Sequence, residues 1–253
     1  MACVTSKALL VIAALLSPAT VASQSRPAAA SPCIDVALVL AVDSSASVSA
    51  GEYRLQQQGI AAAFRDPDVQ DAMRRAGRVA VAVMFWGSEI MPKPQSGWVL
   101  VADGQDAEHF ARIVESMPRQ VTGDTGLGSG LMASLAKLDA LEVCSIRRVV
   151  NLSGDGAETR ALRGGHRAAL PVEARDLADA RQVEINALAI SNQEPKLAEY
   201  YSENVITGPD AFVMVATDYR AFAEAMRQKL IREISPRVVS VLPAAASSTS
   251  QRW

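Results

Sequence analysis

Histidine occurs twice and cysteine three times in these 253 residues. With so few His and Cys side chains, a zinc ribbon or finger is not expected. Aromatic residues make up only 5% of the chain, and 25 Lys and Arg are matched by 27 Asp and Glu, for a formal net charge of −2. Nucleic-acid binders need a basic surface and, for single strands, stacking aromatics, so no nucleic-acid partner is expected. No apolar run reaches the roughly 20 residues that a bilayer-spanning helix requires, so no transmembrane anchor is expected either. Apolar residues reach 49%. That excludes a disordered chain and fits one globular domain of roughly 200 residues with extensions.

The extensions are legible by composition. Lys7 is followed by the apolar run from Ala8 to Leu16, and Val21-Ala22-Ser23 supplies small residues for cleavage. This order marks residues 1–23 as a signal peptide and the protein as exported, periplasmic or secreted. Residues 24–33 begin as an Ala/Ser/Pro linker, and residues 236–253 read as a flexible tail whose apolar part is too short to anchor in a membrane. Cys33 and Cys144 survive processing, and export permits a disulfide.

Between the extensions, apolar runs rich in Val, Leu and Ala alternate with helical patterns. The runs 34–42, 79–86, 148–152, 183–190 and 211–216 read as buried strands of a mostly parallel sheet. The shorter 98–102, after a Pro/Gly-rich turn, reads as an antiparallel edge strand. Ser49 and Glu52 stand at capping-box spacing before a helix over about 50–64. Asp106 is expected to cap a helix with Phe110, Ile113, Val114 and Met117 on one face. Further helices are expected over 126–141, 171–182, 195–205 and 218–234. Such alternation specifies an open, doubly wound α/β sheet at residues 34–235. In these sheets functional groups collect where strands end at their carboxyl side.

Three segments occupy such places. The first strand ends in Asp43-Ser44-Ser45-Ala46-Ser47, where alternate positions put Asp43, Ser45 and Ser47 on one side of extended backbone. One carboxylate with two hydroxyls is a hard-oxygen set suited to Mg²⁺, or to Ca²⁺ or Mn²⁺; an Asx/Ser turn leading into the next helix is the alternative. A later strand runs into Ser153-Gly154-Asp155-Gly156, where Asp-Gly is also a common turn pair. Between them lies the Gly-rich stretch from Thr122 to Leu131, whose glycines permit close backbone approach. A phosphate cradle is the rival there, but no Lys follows the glycines as in a P-loop.

Together the three segments resemble the metal-ion-dependent adhesion site (MIDAS) of von Willebrand factor type A domains: Asp-x-Ser-x-Ser, then a Thr in a Gly-rich loop, then Asp-Gly after a later strand. Asp43, Ser45 and Ser47 match the first element, Thr125 the second and Asp155 the third. The resemblance covers about residues 34–235. The segments NLSGDGAET (151–159) and LAEYYSENVI (197–206), among others, are similar to a bacterial group of exported, uncharacterised type A-like domains. Two departures stand out. Leu127 occupies the place of a second Thr, which makes Thr122 a competing ligand candidate, and Gly154 replaces a more usual Thr before the final Asp.

The resemblance implies a six-stranded sheet in the order 3-2-1-4-5-6 with helices on both faces. It also implies a divalent cation, Mg²⁺ with Mn²⁺ or Ca²⁺ as alternatives, held by Asp43, Ser45, Ser47, Thr125 and Asp155. That cation would capture an Asp or Glu side chain of a partner protein, with Glu89, Arg163 and Arg167 as possible rim residues. An enzyme is not expected. An Mg²⁺-dependent phosphohydrolase on a similar sheet would commonly present Asp-x-Asp, and Ser45 stands at the second Asp. His109 is expected solvated on a helix, and His166 lies in an Arg/Gly loop. A structural domain with a vestigial site is the other alternative. In the implied order the first and fourth strands are parallel neighbours, with Cys33 ten residues before Asp43 and Cys144 eleven before Asp155. A Cys33–Cys144 disulfide near the opposite end of the sheet follows.

Overall fold

The structure, a computed structural model, describes residues 33–89, 92–120, 123–159 and 168–236. The expected signal peptide, most of the linker, the tail beyond Pro236, Thr122, Arg163, His166 and Arg167 lie outside the described residues.

Six strands form one sheet in the order β3-β2-β1-β4-β5-β6. They are β1 (Ile34–Asp43), β2 (Val79–Trp86), β3 (Val99–Val101), β4 (Ser145–Gly154), β5 (Val183–Ile190) and β6 (Val213–Ala216). All pairings are parallel except β2 with β3. The order and the antiparallel edge agree with the sequence reading. The central strands are buried on both faces, which explains their unbroken apolar character.

Side-chain alternation along β1 divides the core in two. Val36, Leu38, Leu40 and Val42 face α1 (Ala50–Arg65), α2 (Pro67–Ala76), α3 (Gly104–Ser116) and α7 (Phe222–Ile234). Ala37, Val39 and Ala41 face α4 (Leu127–Asp139), α5 (Pro171–Ala180) and α6 (Leu197–Asn204). Helix α1 has the expected capping box between Ser49 and Glu52. On α7, Phe222, Met226, Leu230 and Ile234 recur every four residues and are all buried.

Three local readings are corrected. Helix α2 was not anticipated, although Asp66 caps it through the amides of Asp68 and Val69 and Pro67 opens it. The cap of α3 is Asp103, not Asp106; Asp106 sits in the first turn and accepts from the Ala102 amide at 2.9 Å. Strand β4 begins three residues early, because the first residues of β1 pair with it, Ile34 with Ser145 and Val36 with Arg147. This low-hydrophobicity stretch is strand by pairing, not by burial pattern.

That extension carries the disulfide. Cys33 and Cys144 are bonded, with Cα atoms 4.8 Å apart, at the amino ends of neighbouring β1 and β4. Asn151, in the glycosylation-like Asn151-Leu152-Ser153, is buried within β4.

Candidate functional site

Strands β1 and β4 are parallel neighbours, so they deliver Asp43 and Asp155 to the same rim of the sheet. Asp43 is completely buried and Asp155 is 2% exposed. Beyond Asp43 the chain turns. The Ser45 amide donates to Asp43 Oδ1 at 2.8 Å, Ser44 donates through its amide and hydroxyl to the Trp86 carbonyl, and the Ala46 amide donates to Gly123 O at 2.8 Å. Gln56 on α1 donates to the Asp43 carbonyl, and Arg119 donates to the carbonyls of Ser45 and Val48. Four other parts of the chain thus hold this turn in place.

The five matched side chains form one linked cluster. The Ser45 and Ser47 hydroxyls are 3.1 Å apart, Ser47 Oγ donates to Asp155 Oδ1 at 2.8 Å, and Thr125 Oγ1 lies 3.5 Å from Ser45 Oγ. An Asx turn, the alternative reading at Asp43, does exist, but it occupies only Oδ1. Oδ2 of Asp43 and Oδ2 of Asp155 are buried without a hydrogen-bond partner among the described residues. Burial, and then the neighbouring Asp155 charge, push the Asp43 carboxyl up from 3.8 to about 7. Two adjacent buried carboxylates with orphaned oxygens are costly by themselves. The same pair facing neutral hydroxyls is a fitting donor set for a small hard cation. Among the described residues no cluster of three or more His, Cys, Asp and Glu forms a metal site; any ion here would depend on Ser and Thr oxygens.

The Gly-rich loop approaches protein, not open space. A side chain at Gly126 would collide with the backbone of Gly87 and Glu89, and the Gly126 amide donates to Gly87 O at 3.0 Å. This packing sets Thr125 against the cluster and brings the backbone of Glu89 beside the same loop. At the start of α4 the Gly128 amide donates to Glu158 Oε2 at 2.8 Å. A carboxylate of the chain itself therefore takes a place that a phosphate would use.

An open cleft of about 430 Å³ lies over Ser47, Thr125 and Asp155, with Glu158, Thr159, Gln193 and Glu194 completing its walls. Sequence reasoning missed these last four, and it missed two tyrosines. Tyr201, buried on α6, donates to the Gly156 carbonyl at 3.1 Å, and a side chain at position 154 would meet its hydroxyl at 2.7 Å. Gly154 is thus the partner of Tyr201: the phenol occupies the room that a Thr would need. Tyr219, 4% exposed, also adjoins the carboxylates; burial, then Asp155 and Asp43, hold its phenol well above the ordinary range. The LAEYYSENVI segment carried Tyr201 in view, but nothing in its spacing pointed to a distant loop. His109 is exposed on α3, away from the cluster's contacts.

A family model described as "Protein of unknown function (DUF1194)" matches residues 32–238. No curated protein matches the chain. Among solved structures, the pilus adhesin SpaC from Lactobacillus rhamnosus GG superposes with a TM-score of 0.57 at 14% identity, over 81% of this chain and 31% of the adhesin. Proximal thread matrix protein 1 from the mussel byssus, with a zinc-occupied MIDAS motif, gives 0.54 at 16% identity over 80% of this chain and 46% of that protein. A von Willebrand factor type A protein from Catenulispora acidiphila gives 0.54 at 17% over 80% and 43%. The chain therefore spans less than half the length of each, and at these identities the likeness is one of fold. Architecture and sequence match together place the chain: it has a von Willebrand factor type A-like fold and belongs to the DUF1194 family.

Proposed function

We propose that this protein is an exported binding module whose Asp43, Ser45, Ser47, Thr125 and Asp155 hold a divalent cation, Mg²⁺ or alternatively Mn²⁺ or Ca²⁺, for capture of an acidic residue on a partner protein. The observation that carries this reading is the pair of buried, partnerless oxygens, Asp43 Oδ2 and Asp155 Oδ2, beside three linked hydroxyls. When bound, the cation would supply a positive, oxygen-seeking centre at the floor of the cleft. The chain's own residues keep the donors in register: Gln56 and Arg119 fix the backbone that carries Asp43, Ser45 and Ser47, and Thr159 fixes that of Thr125.

The cleft favours binding over hydrolysis. Its remaining carboxylates, Glu158 and Glu194, each accept from a backbone amide, of Gly128 and Ala157 respectively. Neither is presented as an unengaged base for an attacking water. Glu89, with its backbone against the Thr125 loop, fits a rim position; Arg163 and Arg167 belong to the same proposal from sequence alone. Export through residues 1–23, with cleavage leaving the 34–235 domain between a short linker and a tail, accords with the disulfide. Among the described residues no helix is long and apolar enough to cross a membrane.

Calorimetric titration of the chain with Mg²⁺ tests the reading, alongside capture of exported proteins in Mg²⁺ against chelator. Saturable binding and metal-dependent capture, both lost in Asp43→Ala, are expected. Absence of binding for Mg²⁺, Mn²⁺ and Ca²⁺ sinks the proposal, and turnover of phosphate esters would transfer the site to the hydrolase reading.

A further inference from the structure

Two segments, 151–159 and 197–206, touch each other. Three successive residues after Asp155 are each held by the stretch from Glu194 to Tyr201. Tyr201 donates to the Gly156 carbonyl at 3.1 Å, the Ala157 amide donates to Glu194 Oε2 at 2.9 Å, and the Glu158 amide donates to the Tyr200 hydroxyl at 3.4 Å. The fourth residue crosses to the other loop. Thr159 Oγ1 accepts from the Thr125 amide at 2.7 Å and donates to the Thr125 carbonyl at 3.3 Å, and the Thr159 amide donates to that carbonyl at 3.0 Å. Glu158 then reaches the start of α4 through Gly128.

We propose that residues 156–159 form a strap that sets Asp155 and Thr125 at one fixed separation, with Thr159 and Tyr201 as its positioning residues. The inference rests on the metal-site reading and adds what maintains the geometry of that site. Asp155 and Thr125 arise from different loops and share no direct hydrogen bond among the described contacts; the strap ties them through backbone. A cation held by both residues would need them within a few tenths of an ångström of their working positions. A residue one bond removed from a ligand sets that precision, as outer-shell partners do in metal sites generally. Thr159 is exposed, so it supplies little to the core. Its three bonds to Thr125 all fall on the backbone of that one residue.

The test uses the chain in three variants with Mg²⁺ calorimetry, Mn²⁺ electron paramagnetic resonance and metal-free melting. Thr159→Val keeps shape and charge and removes the hydroxyl; it should weaken Mg²⁺ binding about fivefold, the scale of a lost partly buried hydrogen bond. Thr159→Ser should restore affinity to within about twofold, because the hydroxyl is restored. Tyr201→Phe should weaken binding by a similar factor to Thr159→Val and broaden the Mn²⁺ signal. Metal-free melting should not follow the affinity order. If Thr159→Val binds like wild type, if Ser fails to rescue, or if affinity loss simply tracks metal-free melting across the variants, the strap is overturned. If wild type itself binds none of the three metals, the metal reading falls and takes the strap with it.

Discussion

Two clusters of buried charge lie on this one sheet, and they are built in opposite ways. At the carboxyl rim, Asp43 and Asp155 are two like charges with an orphaned oxygen each. Between β4 and α7, Lys229 and Glu233 are opposite charges, both buried, with Lys229 Nζ 2.5 Å from Glu233 Oε1. Asn151 donates to Glu233 Oε2 at 2.6 Å, and Arg147 donates to the Glu233 carbonyl at 2.8 Å. In the second cluster the two charges meet each other within the protein, although Asn151 Oδ1 and Arg147 Nε have no hydrogen-bond partner among the described residues. The first leaves two carboxylate oxygens without a hydrogen-bond partner among the described residues. Burial alone is therefore no marker of function; the informative feature is a buried charge whose compensation is missing.

The largest expected break in this comparison acts below both clusters. Reducing Cys33–Cys144, which closes a separation of 111 residues, should lower stability by about 4–5 kcal/mol in the chain-entropy account, seen as a reduced urea midpoint. Lys229→Ala comes next. It leaves Glu233 buried without its cation and should cost about 3–5 kcal/mol by denaturant unfolding. Asp43→Asn in chelator should show the reverse behaviour, with stability unchanged or raised, because it removes one of two unpaired like charges. A strong loss there would mean that Asp43 serves the fold. Saturating Mg²⁺ at about a hundred times its dissociation constant should add about 2.7 kcal/mol to wild type and nothing to Asp43→Ala, read as a shift of melting temperature.

The smallest effect is in pH. Burial pushes the Lys229 ammonium down from 10.5 to about 8, against the opposing pull of Glu233. For a base with a lowered folded value, the unfolded chain binds more protons above pH 8, so this residue makes stability rise with pH between about 8 and 10. Comparing wild type with Lys229→Met over that window should show the rise in wild type only. A parallel slope in both would mean that Lys229 keeps its ordinary proton affinity when folded.

Burial pattern explains which of these features the sequence exposed. Strands β1, β2 and β5 are apolar on both faces, so their runs give nearly correct bounds. The first residues of β4, Ser145 to Arg147, are strand only because β1 is there to pair with them. Asp66-Pro67 was a legible helix start for α2, and the short polar helix after it obscured the signal. Asp43, Ser45, Ser47 and Asp155 could be nominated because they stand at strand ends, and Thr125 because it lies in a Gly-rich loop before a helix. Thr159, Tyr201, Gln56 and Arg119 were not, because each acts on backbone more than ten residues away. No local periodicity records such a partner.

Sequence by itself determined the alternation of elements and the chemistry of the strand ends, since hydrophobic periodicity and residue type are local properties. Only the tertiary structure decided which polar groups are satisfied. Hydrogen-bond completion depends on which distant loops arrive at the same place. That is why two carboxylates equally polar on paper, Asp155 and Glu233, differ: Glu233 is met by a lysine and an asparagine, and Oδ2 of Asp155 has no hydrogen-bond partner among the described residues.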